Sequence, residues 1–167
     1  MGPRIVVAGI GNIFLGDDAF GVEVANRLKN DPLPPAVSVV DVGIRSLHLA
    51  YALLERPELL IAIDAVRRGD TPGTLTLIEP TDLDTLGPDV PDGHGTNLST
   101  VMAALRTLGG TPPPVLLVGC EPESVEERIG LSPAVARALP GAAQMVREAV
   151  THHLVHTAPA AGEGTTP

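Results

Sequence analysis

The sequence predicts a three-layer α/β/α sandwich around a mostly parallel, twisted sheet of about five strands, one of them antiparallel. Short continuous apolar runs alternate with segments of helical periodicity, the pattern of repeated β-α-β units. The links between them are short and rich in Gly and Pro. The core must also be aliphatic, because Phe14, Phe20 and Tyr51 are the only aromatic residues among 167. Val, Leu, Ile and Ala suit tight packing of helices on strands.

Ile5 to Ile10 is an unbroken apolar run ending in a glycine turn, as a buried parallel strand would. Phe20, Val24 and Leu28 recur every four residues and predict a helix that stops near Asp31-Pro32. Val37 to Val42 is the second strand. Leu47, Ala50, Tyr51 and Leu54 mark the apolar face of a second helix, closed by Arg56-Pro57. Leu59 to Ile63 is a third buried strand and delivers Asp64 at its carboxyl end. Thr74 to Ile78 follows Pro72-Gly73 too soon for a helical crossover, so it is expected to be antiparallel or an edge strand. Asn97 is placed to cap a helix with Leu98, Val101, Met102, Leu105 and Leu108 on one stripe. Val115 to Val118 is the last strand. Ser132-Pro133 starts a final helix, which Pro140 should break or restart before it runs on to about His153. Residues 1–156 are expected to form one domain, and 157–167 a disordered tail of small and Pro residues.

Composition narrows the function. Eleven basic residues against 20 acidic ones give a net charge of −9, and Lys29 is the only lysine. Such a chain repels phosphate backbones, and without aromatic platforms nucleic acid is excluded as a partner. A metal ion or a cationic peptide segment would be attracted instead. The imbalance is also local: no Lys or Arg lies between Arg68 and Arg106, while Asp70, Glu79, Asp82, Asp84, Asp89 and Asp92 do. A single cysteine, Cys120, excludes an internal disulfide framework and a cysteine-based zinc site. No apolar stretch approaches the roughly 18 residues of a membrane span. The first apolar run is too short for a signal peptide. A cytoplasmic protein is expected.

The segment from Gly9 to Asp18 is the most informative. Its glycines miss the dinucleotide spacing, because the third falls two residues late. Gly11 and Gly16 have the spacing of a phosphate-binding loop, yet Asp17 and Asp18 stand where Lys and Ser or Thr should be. Carboxylates there turn an anion site into a cation site. Ligands of open α/β sheets bind beyond the carboxyl ends of the strands. Asp17 and Asp18, Asp41 and Asp64 all fall there, and His94 joins them if its loop leads into the following helix. Two carboxylates and an imidazole suit a divalent ion such as Zn, Ni or Mn. The alternative stays open that Asp18 caps a helix, Asp64 caps a turn and His94 is a loop residue.

Gly9-x-Gly11-Asn12-x-x-x-Gly16-Asp17-Asp18-Ala19-x-Gly21-Val22 resembles the amino-terminal signature of the [NiFe]-hydrogenase maturation proteases. The resemblance continues through Ile63-Asp64-Ala65, Pro72-Gly73-Thr74, His94 with the Leu98 helix, Val118-Gly119 to Pro122-Glu123-Ser124, and Ile129 to Pro133. It spans roughly Ile5 to Val150 in order. It implies a cytoplasmic, monomeric endopeptidase of aspartyl type that removes the carboxy-terminal extension of a hydrogenase large-subunit precursor after nickel insertion. Asp18, Asp64 and His94 are implied as contacts to nickel carried by the substrate, with no permanently bound metal. Asp18 and Asp64 are implied as the catalytic residues, supported by Asp17, Asp41 and Asn12. Two departures stand out. Some members carry Glu at the position of Asp18, which loses about 1.5 Å of reach here. Asp41-Val42-Gly43-Ile44 replaces the family's Asp-Gly-Gly-Thr and lacks its hydroxyl.

Other protease chemistries lack their motifs. There is no HExxH and no GxSxG. Cys120 has no base in its Cys-Glu-Pro turn and reads as a buried, inert thiol. His152, His153 and His156 read as surface histidines. Two alternatives to the protease remain: a non-catalytic nickel-sensing chaperone for the precursor, and an α/β metallohydrolase holding its own zinc.

Overall fold

Five strands form one sheet in the order β2-β1-β3-β5-β4. The computed structural model describes residues 2–80 and 98–157. Along the chain these are β1 (Ile5–Ile10), α1 (Phe20–Asn30), β2 (Val37–Gly43), α2 (Ser46–Leu53), β3 (Leu59–Ala65), β4 (Leu75–Ile78), α3 (Leu98–Thr107), β5 (Val115–Cys120) and α4 (Pro133–His156). A 3-10 turn, Gly16–Ala19, leads into α1. β2, β1, β3 and β5 are parallel, and β4 pairs antiparallel with the outer side of β5. This is the expected mixed sheet, with the expected edge strand.

The alternation of side chains along β1 splits the core into two layers. Ile5 and Val7 pack under α1 and α4 with Phe20, Val24, Leu28, Val146 and Val150. Val6, Ala8 and Ile10 face α2 and α3 with Leu49, Leu53, Val101, Met102 and Leu105. β1 and β3 are buried on both faces, so their residues are apolar without alternation. Each such Ile, Leu or Val stabilises the fold by roughly 1.5–3 kcal/mol relative to exposure.

Two expectations needed correction. The apolar face of α2 is turned from the one its spacing suggested: Leu49, Ala50 and Leu53 are buried, while Leu47, Tyr51 and Leu54 are exposed. Every residue but Ser46 and His48 in this short helix is apolar, so periodicity alone could not choose the inner face. The last helix also runs unbroken through Pro140. Pro140 and Ala136 both lie on the solvent side. The Ala136 carbonyl that loses its partner therefore lies on the side open to solvent, and Val135, Ala142, Ala143 and Val146 hold both halves on the sheet. Asn97 and the acidic residues from Asp82 to Asp92 lie outside the described residues, as do 158–167.

Candidate active site

The chain leaves β1 for α1 and β2 on one side of the sheet. It then leaves β3 for β5 and β4 on the other. β1 and β3 are neighbours, so the connections diverge between their carboxyl ends and open a crevice there. Close packing fixes its wall. A Cβ on Gly21, in the first turn of α1, would sit 2.1 Å from the Ile63 carbonyl oxygen and 2.3 Å from that of Ile10. Only glycine lets α1 rest directly on the ends of both strands. At Gly11 the backbone has φ +139°, and a Cβ would collide with the Asp18 carbonyl oxygen. The loop can therefore fold back over itself.

That loop carries Asp17 and Asp18, and their side chains part company. Asp17 is fully buried. Its Oδ2 accepts hydrogen bonds from the Glu123 N–H at 2.8 Å, the Ser124 N–H at 3.2 Å and the Ser132 hydroxyl at 2.9 Å. Its Oδ1 accepts from the Ser132 N–H at 2.7 Å. Burial opposes the charge, but these four donors outweigh it and hold the Asp17 pKa below the usual carboxylate value. Backbone bonds complete the clamp: Gly16 N–H to Arg128 O at 2.8 Å, Asp17 N–H to Ser124 O at 3.0 Å and Arg128 N–H to Phe14 O at 3.0 Å. Asp17 thus latches the β1–α1 loop to the β5–α4 loop. Ser132 precedes α4 as expected, yet its hydroxyl serves Asp17 and does not cap the helix.

Asp18 faces the crevice. Its Oδ2 accepts one hydrogen bond, from the Asn12 N–H at 2.8 Å, and burial raises its pKa. It makes no helix cap. Asp64 ends β3 as the sequence predicted, with Oδ1 accepting from its neighbour's Ala65 N–H at 2.8 Å. Burial, then the negative charge of Asp18, push the Asp64 pKa well above its ordinary value. The two carboxylates therefore share one electrostatic site, in which a proton or a cation relieves their repulsion. Hard oxygen donors of this kind suit a divalent ion. His94 lies outside the described residues.

The supporting residues divide. Asn12 shapes the loop, its side-chain oxygen accepting from the Phe14 N–H at 2.9 Å. Asp41 pairs with Gly9 in the sheet but is exposed on β2. Cys120 is buried at the end of β5, and burial with the charges of Asp17 and Glu121 raises its thiol to about 11, which makes it inert. Sequence reasoning missed Glu121, buried beside it, whose Oε2 accepts from the Arg68 N–H at 2.7 Å and pins the turn after β3. A carboxylate directly after an apolar strand was the available signal.

A doubly wound α/β enzyme with paired carboxylates at the switch of its sheet is the class these features define. The family model described as hydrogenase maturation protease matches residues 22–149. The hydrogenase 2 maturation protease of Escherichia coli is 34% identical over 157 residues, covering 93% of this chain and 96% of its own. The solved hydrogenase maturating endopeptidase HybD of E. coli superposes with a TM-score of 0.78 at 33% identity, over 90% of this chain and 93% of that one. The [NiFe] hydrogenase maturation protease HycI of Thermococcus kodakarensis gives 0.68 at 32% identity, over 89% and 92%. This chain belongs to the hydrogenase maturation proteases and is an endopeptidase.

Proposed function

We propose that the protein removes the carboxy-terminal extension of a [NiFe]-hydrogenase large-subunit precursor, acting as a cytoplasmic monomer on a precursor that already carries nickel. The observation that carries this reading is the pairing of Asp18 and Asp64, two acids of raised pKa in one crevice. They would receive the substrate's nickel together with His94. No described trio of His, Cys, Asp or Glu forms a metal cluster by itself. Partial capture of an ion whose other ligands come with the substrate needs no more than this donor set.

In this reading Asp18 removes a proton from a water as its oxygen attacks the scissile carbonyl carbon. The carbon–nitrogen bond breaks and the amine leaves with a proton, giving a new carboxylate and a free amino terminus. The proton that Asp18 takes passes to the departing amine, and Asp64 would hold the cation beside it. The absence of HExxH and GxSxG motifs leaves these carboxylates as the group suited to the step. The test is the mass shift of nickel-loaded and nickel-free precursor after incubation with the protein. Cleavage of the loaded form alone supports the reading; equal cleavage of both overturns nickel recognition, and cleavage of neither overturns the assigned substrate.

A further inference from the structure

Nine large apolar side chains are exposed among the described residues, and five of them stand beyond the carboxyl ends of the strands. Ile13 and Phe14 are in the β1–α1 loop, 45% and 60% exposed, and Ile129 in the β5–α4 loop is 78% exposed. Ile44 and Leu47, at 57% and 51%, lie where β2 turns into α2. Loops that hold such residues in water usually fold them away if they are free to move. These are not free. The Phe14 carbonyl accepts from Arg128, the residue before Ile129, and the Asp17 latch fixes both loops. The Gly11 N–H donates to Gly43 O at 3.1 Å and joins the β2–α2 turn to the same frame. An apolar surface held out rigidly is pre-organised for a partner.

We propose that this rim is the docking surface for the precursor, and that the segment it takes is apolar and flanked by basic residues. The inference rests on the protease reading. Continuity argues for that occupant, since the loop that presents Ile13 and Phe14 is the loop that presents Asp18. Charge argues for the basic flank: Glu123, Glu126 and Glu127 outnumber Arg128 beside Ile129, while exposed Asp41 balances Arg45 near Ile44. A face of this composition attracts a cationic segment before its apolar tips are buried. Val155 supplies an internal control, because the end of α4 lies beside Glu58 at the amino end of β3.

The experiment measures KM for precursor cleavage in the wild type and in Phe14→Ser combined with Ile129→Ser. More than half of each side chain is in water, and a thermal melt reports that the fold persists. KM should rise at least about tenfold in the double variant. It should return to near the wild-type value with Leu at both positions and stay unchanged in Val155→Ser. Glu126→Gln with Glu127→Gln should flatten the dependence of KM on salt. An unchanged KM in the double Ser variant, or an equal rise in Val155→Ser, overturns the docking surface while the protease stands. A wild type that does not cleave the precursor overturns the assigned substrate and the docking surface with it.

Discussion

Asp17 and Asp18 are joined by one peptide bond yet belong to regions of opposite electrostatic character. In the latch, four donors aim at one buried carboxylate and keep it charged. In the crevice, each carboxylate has a single backbone donor, and burial drives the pKa upward. Both regions bury acids, so burial does not decide the outcome. The number of donors does. A satisfied acid holds loops together, and an unsatisfied one is left wanting a proton or a cation, which is what a reactive site requires.

The largest expected difference between the two regions is in activity. Asp64→Asn or Asp18→Asn should lower kcat by about a hundredfold or more in precursor cleavage, with the fold intact by circular dichroism. Next, Asp17→Asn should act on stability, costing about 2–4 kcal/mol in urea denaturation, because both carboxylate oxygens face N–H donors and an amide can satisfy only one side. A smaller effect of opposite sign is expected from Asp64→Asn, which should stabilise the protein by about 1 kcal/mol at neutral pH. The folded state keeps protons on Asp18 and Asp64 that the unfolded state releases, so their contribution to stability falls as pH rises above the ordinary 3.8. The substitution should flatten that slope in pH-dependent melts.

The smallest effect belongs to the opposite end of the sheet. There Arg4 grips Glu58 through two bonds of 2.8 Å, and His153 adds a third at 2.9 Å. These hold the Glu58 pKa at about 2, lowered from 4.5, so the stability they give is present above 4.5 and lost as pH falls towards 2. The cluster is solvent-screened, and Glu58→Gln should cost less than about 1 kcal/mol in the same denaturation assay. A larger loss there than at Asp17 would break the contrast between donors in the interior and ion pairs at the surface.

The strands were legible because burial on both faces leaves an unbroken apolar run, as in β1 and β3. Asp64 was legible for the same reason, being the first charge after such a run. The inner face of α2 was not, since apolar residues surround that helix, and the passage of α4 through Pro140 depended on contacts made by distant strands. The glycine loop identified the acids but not their division of labour. The donors that separate Asp17 from Asp18 come from residues 106 to 115 positions later, beyond the reach of any local pattern.

That separation along the chain also sets a schedule. The β2-β1-β3 half of the sheet, with both crevice acids, is complete by Ala65. The Asp17 latch on the β1–α1 loop closes only when the β5–α4 loop has docked, and contacts between segments so far apart carry the larger loop-closure cost. The loop that carries Asp18 therefore gains its last anchors only once Glu123, Ser124 and Ser132 have joined the fold.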